Sequence, residues 1–219
     1  MAQQKFDWQA IDTVILDLDG TLIDLYFDHR FWKKVVPQAY ADKFKLSVEQ
    51  SRELIHRRYQ QVEFSMQWYC IDFWAKNLDL PLRELLQQQR DYIKVRPDVY
   101  PFLQAARERR KKLILLTDSH PFSLAEKLKH CDLAPHFDLL LSSHQFNAPK
   151  VEQSLWQRLQ QFTPFDPSRT LFIDDTEAVL DSAKKFGIAY TIGVENPDST
   201  LADKSFERHF SVKNYRTLL

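Results

Sequence analysis

The feature that most restricts the fold of this chain is a set of short, nearly continuous apolar runs: TVILDLD (13–19), KLILLTD (112–118), DLLLSS (138–143), TLFIDD (170–175) and IAYTIG (188–193). Runs of this length without polar alternation describe strands buried on both faces. From the second run onward they alternate with helical patterns over 121–131, 149–162 and 176–187. That alternation predicts an α/β fold, an open parallel sheet with crossover helices on its faces.

More than ninety residues separate the first and second runs, and none of them reads as a strand. Helical patterns fall instead at 28–44, 47–64, 66–78, 82–94 and 98–110. One crossover does not need so much chain, so most of the interval is read as a helical insertion. Its body is placed at 24–95, with Pro97 restarting the core. The core domain is then 1–23 plus 96–219, and the insertion is a helical cap.

Lysine plus arginine balance aspartate plus glutamate at 30 each, which gives no net field toward nucleic acid or an acidic membrane. A small molecule is the expected partner. No segment approaches the roughly 20 apolar residues of a membrane span, and MAQQKFDWQAID lacks the apolar stretch of a signal peptide. A cytoplasmic monomer is expected. Cys70 and Cys131 lie far apart on helical patterns and read as reduced core thiols. None of the seven histidines is spaced as a zinc site. Glycine is limited to Gly20, Gly187 and Gly193, so a glycine-rich phosphate cradle is absent. Gly187 ends a helical pattern as a left-handed cap; only Gly20, set between a carboxylate pair and Thr21, invites a chemical reading.

In an open parallel sheet, ligands bind beyond the carboxyl ends of the strands. Here the first run ends at Asp17 and Asp19, the second at Thr117 and Asp118, and the fourth at Asp174 and Asp175. Carboxylates crowded on one rim do not all stay ionised without a cation. An oxygen-only set of this kind suits Mg2+ together with substrate phosphate. Lys150, in NAPK, can offset negative charge, and Thr117 with the amides of its turn can supply neutral donors. The inventory fits phosphoryl transfer.

Taken in order, D-L-D-G-T, Thr117, Lys150 and the D-D pair, after a helical insertion, resemble the haloacid dehalogenase (HAD) superfamily. From end to end the chain also resembles a narrower family, the bacterial GMP/IMP nucleotidases. The resemblance rests on DLDGTLIDLYFDHRFWKKVVPQAY, WYCIDFW, LLTDSHP, LDLLLSSHQF, TLFIDDTEAVLDSAKKFGI and GVENPDS. It implies a Rossmann-like core and a magnesium-dependent phosphomonoester hydrolase. Asp17 would be the nucleophile that forms an aspartyl-phosphate, and Asp19 the general acid and base. Thr117, Asp118 and Lys150 would bind phosphate, and Asp17, Asp19, Asp174 and Asp175 would hold the metal, Asp19 through its backbone carbonyl. The family carries asparagine where this chain has Asp118.

Each residue also has a plainer reading. Paired aspartates near a turn are often caps, and a lone lysine or threonine says little; the ordered set outweighs these. Thr21 is expected to brace the loop, and Asp181 to be a solvated helix residue. The insertion's aromatics are expected to be mostly core, with Tyr26, Phe27 and Trp32 the candidates for a purine's face. His120 and His144 follow strands and read as loop residues near the rim, while Arg30, Lys33 and Lys34 read as a solvated helix face. Alternatives within the same chemistry are a sugar phosphate or phosphoglycolate phosphatase and a phosphomutase. A dehalogenase would lack Asp19 and the late acidic pair, and a non-catalytic binding module would lose at least one motif.

Overall fold

A computed structural model describes residues 7–219, so the N-terminal reading of residues 1–6 lies outside the described residues. The first strand, β1 (Thr13–Leu16), is followed by the helical interval: α1 (Tyr26–Arg30), a π-helical turn over Phe31–Val35, α2 (Val36–Phe44), α3 (Val48–Gln60), α4 (Ile71–Leu78) and α5 (Leu82–Gln87). Then come α6 (Val99–Glu108), β2 (Lys112–Thr117), α7 (Pro121–Lys129), β3 (Leu139–Ser142), α8 (Gln153–Phe162), β4 (Thr170–Asp174), α9 (Glu177–Phe186), β5 (Tyr190–Val194) and β6 (Phe210–Val212). The strands form one sheet in the order β3-β2-β1-β4-β5-β6, and every pairing is parallel. The sequence reading missed β6, whose three residues offer no apolar run, only an edge partner in β5.

Alternation along the strands explains why both faces are apolar. Val14, Leu16, Leu113, Leu115, Leu171 and Ile173 face one cluster, closed by α6 and the C-terminal Tyr215 and Leu218. Ile15, Ile114, Leu116 and Phe172 face the other, closed by Leu155, Trp156 and Leu159 of α8 and by Val179, Leu180 and Ala183 of α9. Each fully buried aliphatic or phenylalanine side chain contributes about 1.5–3 kcal/mol.

The helices between β1 and α6 bury their own core, built on Phe27, Phe31, Tyr40, Ile55, Trp74, Leu78 and Leu86. The chain leaves and returns through one neck: Ile23 bridges Val95, Asp24 N–H donates to the Lys94 carbonyl at 2.9 Å, and Arg96 N–H to that of Leu22 at 3.0 Å. Expected helices of this interval are shorter than their patterns: α5 ends at Gln87, and Arg90–Tyr92 forms a separate 3-10 turn. α3 starts at a capping box, Ser47 with Gln50, but ends at Gln60, and α4 starts only after the Cys70 cap. Between them the chain makes turns, with Phe64 at φ 59°. Pro37 has no N–H for the Lys33 carbonyl four residues back, which favours the π turn just before it.

The cysteines are free thiols, but both are partly exposed rather than core. Cys131 lies beyond α7 and donates to the Lys127 carbonyl at 3.1 Å; the Cys70 sulfur caps α4, accepting from Phe73 N–H at 3.4 Å.

Candidate active site

The strand order reverses beside β1, between β2 and β4, and the acidic residues gather at that switch point. Asp17 follows β1 directly, its N–H still donating to the Ile173 carbonyl at 3.0 Å. Asp174 ends β4 and Asp175 follows it. Carboxylate oxygens of Asp17, Asp174 and Asp175 lie within 4.8 Å of one another. Gly20, at φ 82°, lets the chain turn tightly over them: a Cβ there would stand 2.9 Å from Asp175 Cγ and 3.0 Å from Pro197 Cβ.

Lys150 joins two of these acids. Its Nζ lies 2.5 Å from Asp17 Oδ1 and 2.7 Å from Asp174 Oδ2, and it is almost wholly buried. It sits in the turn ahead of α8 rather than at that helix's start, where the sequence placed it. Asp174 is further fixed by Thr176 N–H at 2.8 Å, and Asp175 by Lys204 at 3.1 Å.

Burial pushes the Asp17 carboxyl well above its ordinary range; Lys150 opposes this while Asp174, Asp19 and Asp175 add to it. Asp174 is pushed up to about 6, again by burial first, with Lys150 opposing and Asp175 reinforcing. Burial would lower the Lys150 ammonium, but Asp17, Asp174 and Asp118 carry it well above the usual lysine value. Three hard oxygen donors, under-neutralised and desolvated, are the donor set that a metal ion satisfies; the cluster can hold one.

Asp19, two residues beyond Asp17, is held separately. It accepts from Ser119 Oγ at 2.7 Å and from Lys127 Nζ at 2.6 Å, and the same ammonium reaches both oxygens of Asp28 at 2.9 Å. Lys127 is fully buried. Burial would lower its ammonium, yet Asp19 and Asp28 raise it above the ordinary lysine range. Burial, then the charge of Asp19, push the Asp28 carboxyl up to about 7 against Lys127. Sequence reading missed Lys127, Asp28 and Ser119. Only the place of Lys127 in the LAEKLK pattern, on the buried side of an amphipathic helix, could have singled it out.

The second motif is held by local hydrogen bonds. Thr117 Oγ1 is buried and accepts from Ser119 N–H at 3.0 Å. The Asp118 carboxylate turns onto the Lys150 backbone, accepting its N–H at 3.0 Å. Burial raises that carboxyl against the pull of Lys150. Asp118 therefore fixes the loop that carries Lys150. Thr21 makes no hydrogen bond with its buried hydroxyl; the loop is braced by Tyr215, whose hydroxyl donates to the Thr21 carbonyl at 2.9 Å. Asp181 pairs with Arg208 at 2.7 Å, away from the cluster.

Above the acids lies a cavity of about 710 Å³, walled below by Asp17, Asp19 and Lys150 and above by Trp32, Arg52, Trp68 and Tyr69 of the insertion. Of the expected aromatic candidates, Trp32 lines it, Phe27 is fully buried core, and Tyr26 packs on Tyr92 with ring centres 6.1 Å apart. Lys33 also lines the cavity, whereas Arg30 stacks on Tyr92 at 4.1 Å. His120 lines the cavity and packs edge-on against His144, ring centres 4.9 Å apart. Among the described residues no helix is long and apolar enough to cross a membrane.

A parallel sheet with this acid-and-lysine edge beneath a helical lid defines a class of hydrolase, and the chain belongs to it: residues 11–187 match the haloacid dehalogenase-like hydrolase family. Within that class it is 44% identical over 212 residues to the GMP/IMP nucleotidase YrfG of Escherichia coli (strain K12), the match spanning 97% of this chain and 96% of that protein. It is also 24% identical to the phosphorylated carbohydrates phosphatase of Thermotoga maritima, over 84% of this chain and 85% of that one. The crystal structure of a HAD phosphatase from Thermococcus onnurineus shares the fold, with a TM-score of 0.80 at 22% identity and coverage of 95% and 96%.

Proposed function

We propose that the protein is a magnesium-dependent 5'-nucleotidase that hydrolyses GMP and IMP through an aspartyl-phosphate on Asp17. The observation that carries the chemistry is the meeting of Asp17, Lys150 and Asp174 at the sheet edge, with Asp19 held apart by Ser119 and Lys127. Support for the substrate comes from the nucleotidase at 44% identity and from the aromatic-lined cavity.

In this reading an Asp17 carboxylate oxygen attacks phosphorus, the bond to the ribose 5'-oxygen breaks, and Asp19 gives that oxygen its proton. Asp19 then takes a proton from the water that cleaves the acyl-phosphate, releasing phosphate and restoring Asp17. Lys150 and the Thr117 hydroxyl face the charge that gathers on the transferring group, and Asp118 keeps Lys150 aimed. Asp17, Asp174 and Asp175 would hold Mg2+, with the Asp19 carbonyl completing the protein's share; the ion supplies charge neutralisation between nucleophile and phosphate. The segment 24–95 acts as a cap that excludes water during turnover.

The test is phosphate release from a panel of GMP, IMP, other nucleotides, sugar phosphates and phosphoglycolate, with magnesium and with chelator. GMP and IMP should be the best substrates, chelator should stop turnover, and Asp17→Asn should lower kcat by at least roughly a thousandfold with the fold intact. Undiminished activity in chelator or in that variant would defeat the mechanism; a sugar phosphate as best substrate would defeat the nucleotide assignment alone.

A further inference from the structure

A second convergence of ligating side chains lies at the seam between the insertion and the sheet. Cys70, His120 and His144 bring one sulfur and one nitrogen from each ring within 4.8 Å of one another. They come from distant parts of the chain. Cys70 caps α4 in the insertion, His120 caps α7 after β2, and His144 lies in the short 3-10 helix after β3. Distances of fifty and twenty-four residues in sequence hide the set, which is why histidine spacing alone does not reveal it.

Hydrogen bonding within the protein satisfies this set only in part: His120 Nδ1 accepts from Phe122 N–H and the Cys70 sulfur from Phe73 N–H. Nε2 of His144 is buried and has no hydrogen-bond partner, an arrangement that costs free energy unless something occupies it. Both rings sit in low-dielectric surroundings beside each other. Burial lowers both imidazoles below the ordinary histidine value; Asp72 opposes this at His120, and at His144 the His120 ring assists while the Tyr69 and Asp118 backbones oppose. Neutral imidazole is the form that ligates a metal. The Cys70 sulfur receives one weak contact, from Phe73 N–H. Asp72 Oδ2 stands 3.7 Å from His120 Nε2, but Arg83 holds that carboxylate with two hydrogen bonds, at 2.8 and 2.7 Å.

We propose that Cys70, His120 and His144 form a binding site for a zinc-class divalent cation, distinct from the acidic cluster, and that the bound ion ties the helical insertion to the sheet. One thiolate and two imidazoles are a borderline-soft donor set that selects zinc, cobalt or nickel over magnesium. Three protein ligands leave a fourth position for water. Binding releases the thiol proton and gives up the hydrogen bond from Phe122 N–H to His120 Nδ1, now 3.2 Å: the ion either takes that nitrogen or, bound at Nε2, moves the ring proton onto it. Because one ligand belongs to the insertion and two to the sheet, occupancy holds the two together.

Cobalt(II) is the probe, since thiolate ligation to it produces a charge-transfer band that carboxylate ligation does not. The reduced full-length protein should bind one cobalt ion with this band and lose the band to competing zinc. Cys70→Ser should abolish the band without harming the fold, because serine is itself a good helix cap. His144→Ala should weaken cobalt binding by at least roughly tenfold, and Asp17→Asn should keep the band unchanged. Absence of the band in the native protein, its survival in Cys70→Ser, or its loss in Asp17→Asn would overturn the proposal.

Discussion

At the scale of single residues, the site divides into groups that chemistry demands and groups that only packing reveals. Asp17, Asp19, Asp174 and Asp175 were legible because charges ending apolar strands need a reason, and Lys150 because it follows in order. Lys127 was not legible: one of two lysines in PFSLAEKLK, it looks like any solvated lysine, and only the folded chain shows it fully buried between Asp19 and Asp28. Its removal leaves two partly buried carboxylates facing each other without a cation. Lys127→Met should therefore lower stability by about 3–5 kcal/mol, the usual cost of breaking a buried pair from one side. Adding Asp28→Asn removes one of the facing charges and should restore most of that loss in urea unfolding. Phosphate release should stay depressed in the double variant, because Asp19 has lost the group that fixes its rotamer. Equal recovery of stability and activity would mean that Lys127 serves the fold alone.

At the scale of elements, the central strands were readable from their apolar runs, and β6 and the turns between α3 and α4 were not. The difference is physical. A strand buried on two faces must be apolar throughout, whereas a three-residue edge strand is defined by its partner, and a helix stops where a side chain or a left-handed residue offers the backbone another bond. The start of β3 gives a case that can be measured. Asp138, just ahead of β3, accepts Leu113 N–H at 2.7 Å and the Arg107 guanidinium at 2.7 Å, so one carboxylate joins β2, β3 and α6. Burial alone would raise its carboxyl, but the Leu113 amide and Arg107 outweigh that and hold it below the ordinary range. A carboxyl depressed by folding contributes stability that is complete above its unfolded value of about 3.9 and is lost as pH falls through the folded value. Asp138→Asn should cost about 1 kcal/mol near pH 7, discounted from a buried charge pair because both partners are more than a third exposed. Thermal unfolding of the two proteins should converge as pH is taken below about 4. A difference that stays constant across that range would show that the charge of Asp138 has no part in it.

At the scale of the whole molecule, the lower and upper walls of the cavity come from different parts of the chain. The acids stand at the ends of β1 and β4, whose places are fixed by strand pairing, and Lys150 in the turn ahead of α8. The residues above the cavity, Trp32, Arg52, Trp68 and Tyr69, stand on a body with its own apolar core and a single neck at Ile23 and Val95. Substitutions in the upper wall should therefore change which phosphate ester is used while leaving the chemistry in place. Trp68 is the most direct case. Its ring lines the cavity and packs against Tyr59, ring centres 5.6 Å apart, while the contact it makes for the fold, from the Trp74 indole at 2.9 Å, goes to its backbone carbonyl. Trp68→Ala keeps that carbonyl and removes the ring. Stacking of a nucleobase on an aromatic side chain contributes about 1–3 kcal/mol, so kcat/KM for GMP should fall by roughly 5- to 150-fold. Acetyl phosphate, a small donor with no ring to stack, should be hydrolysed by the variant almost as fast as by the native enzyme. Parallel losses on both substrates would instead assign Trp68 to closure of the cavity, and would move the source of nucleotide preference to another part of the upper wall.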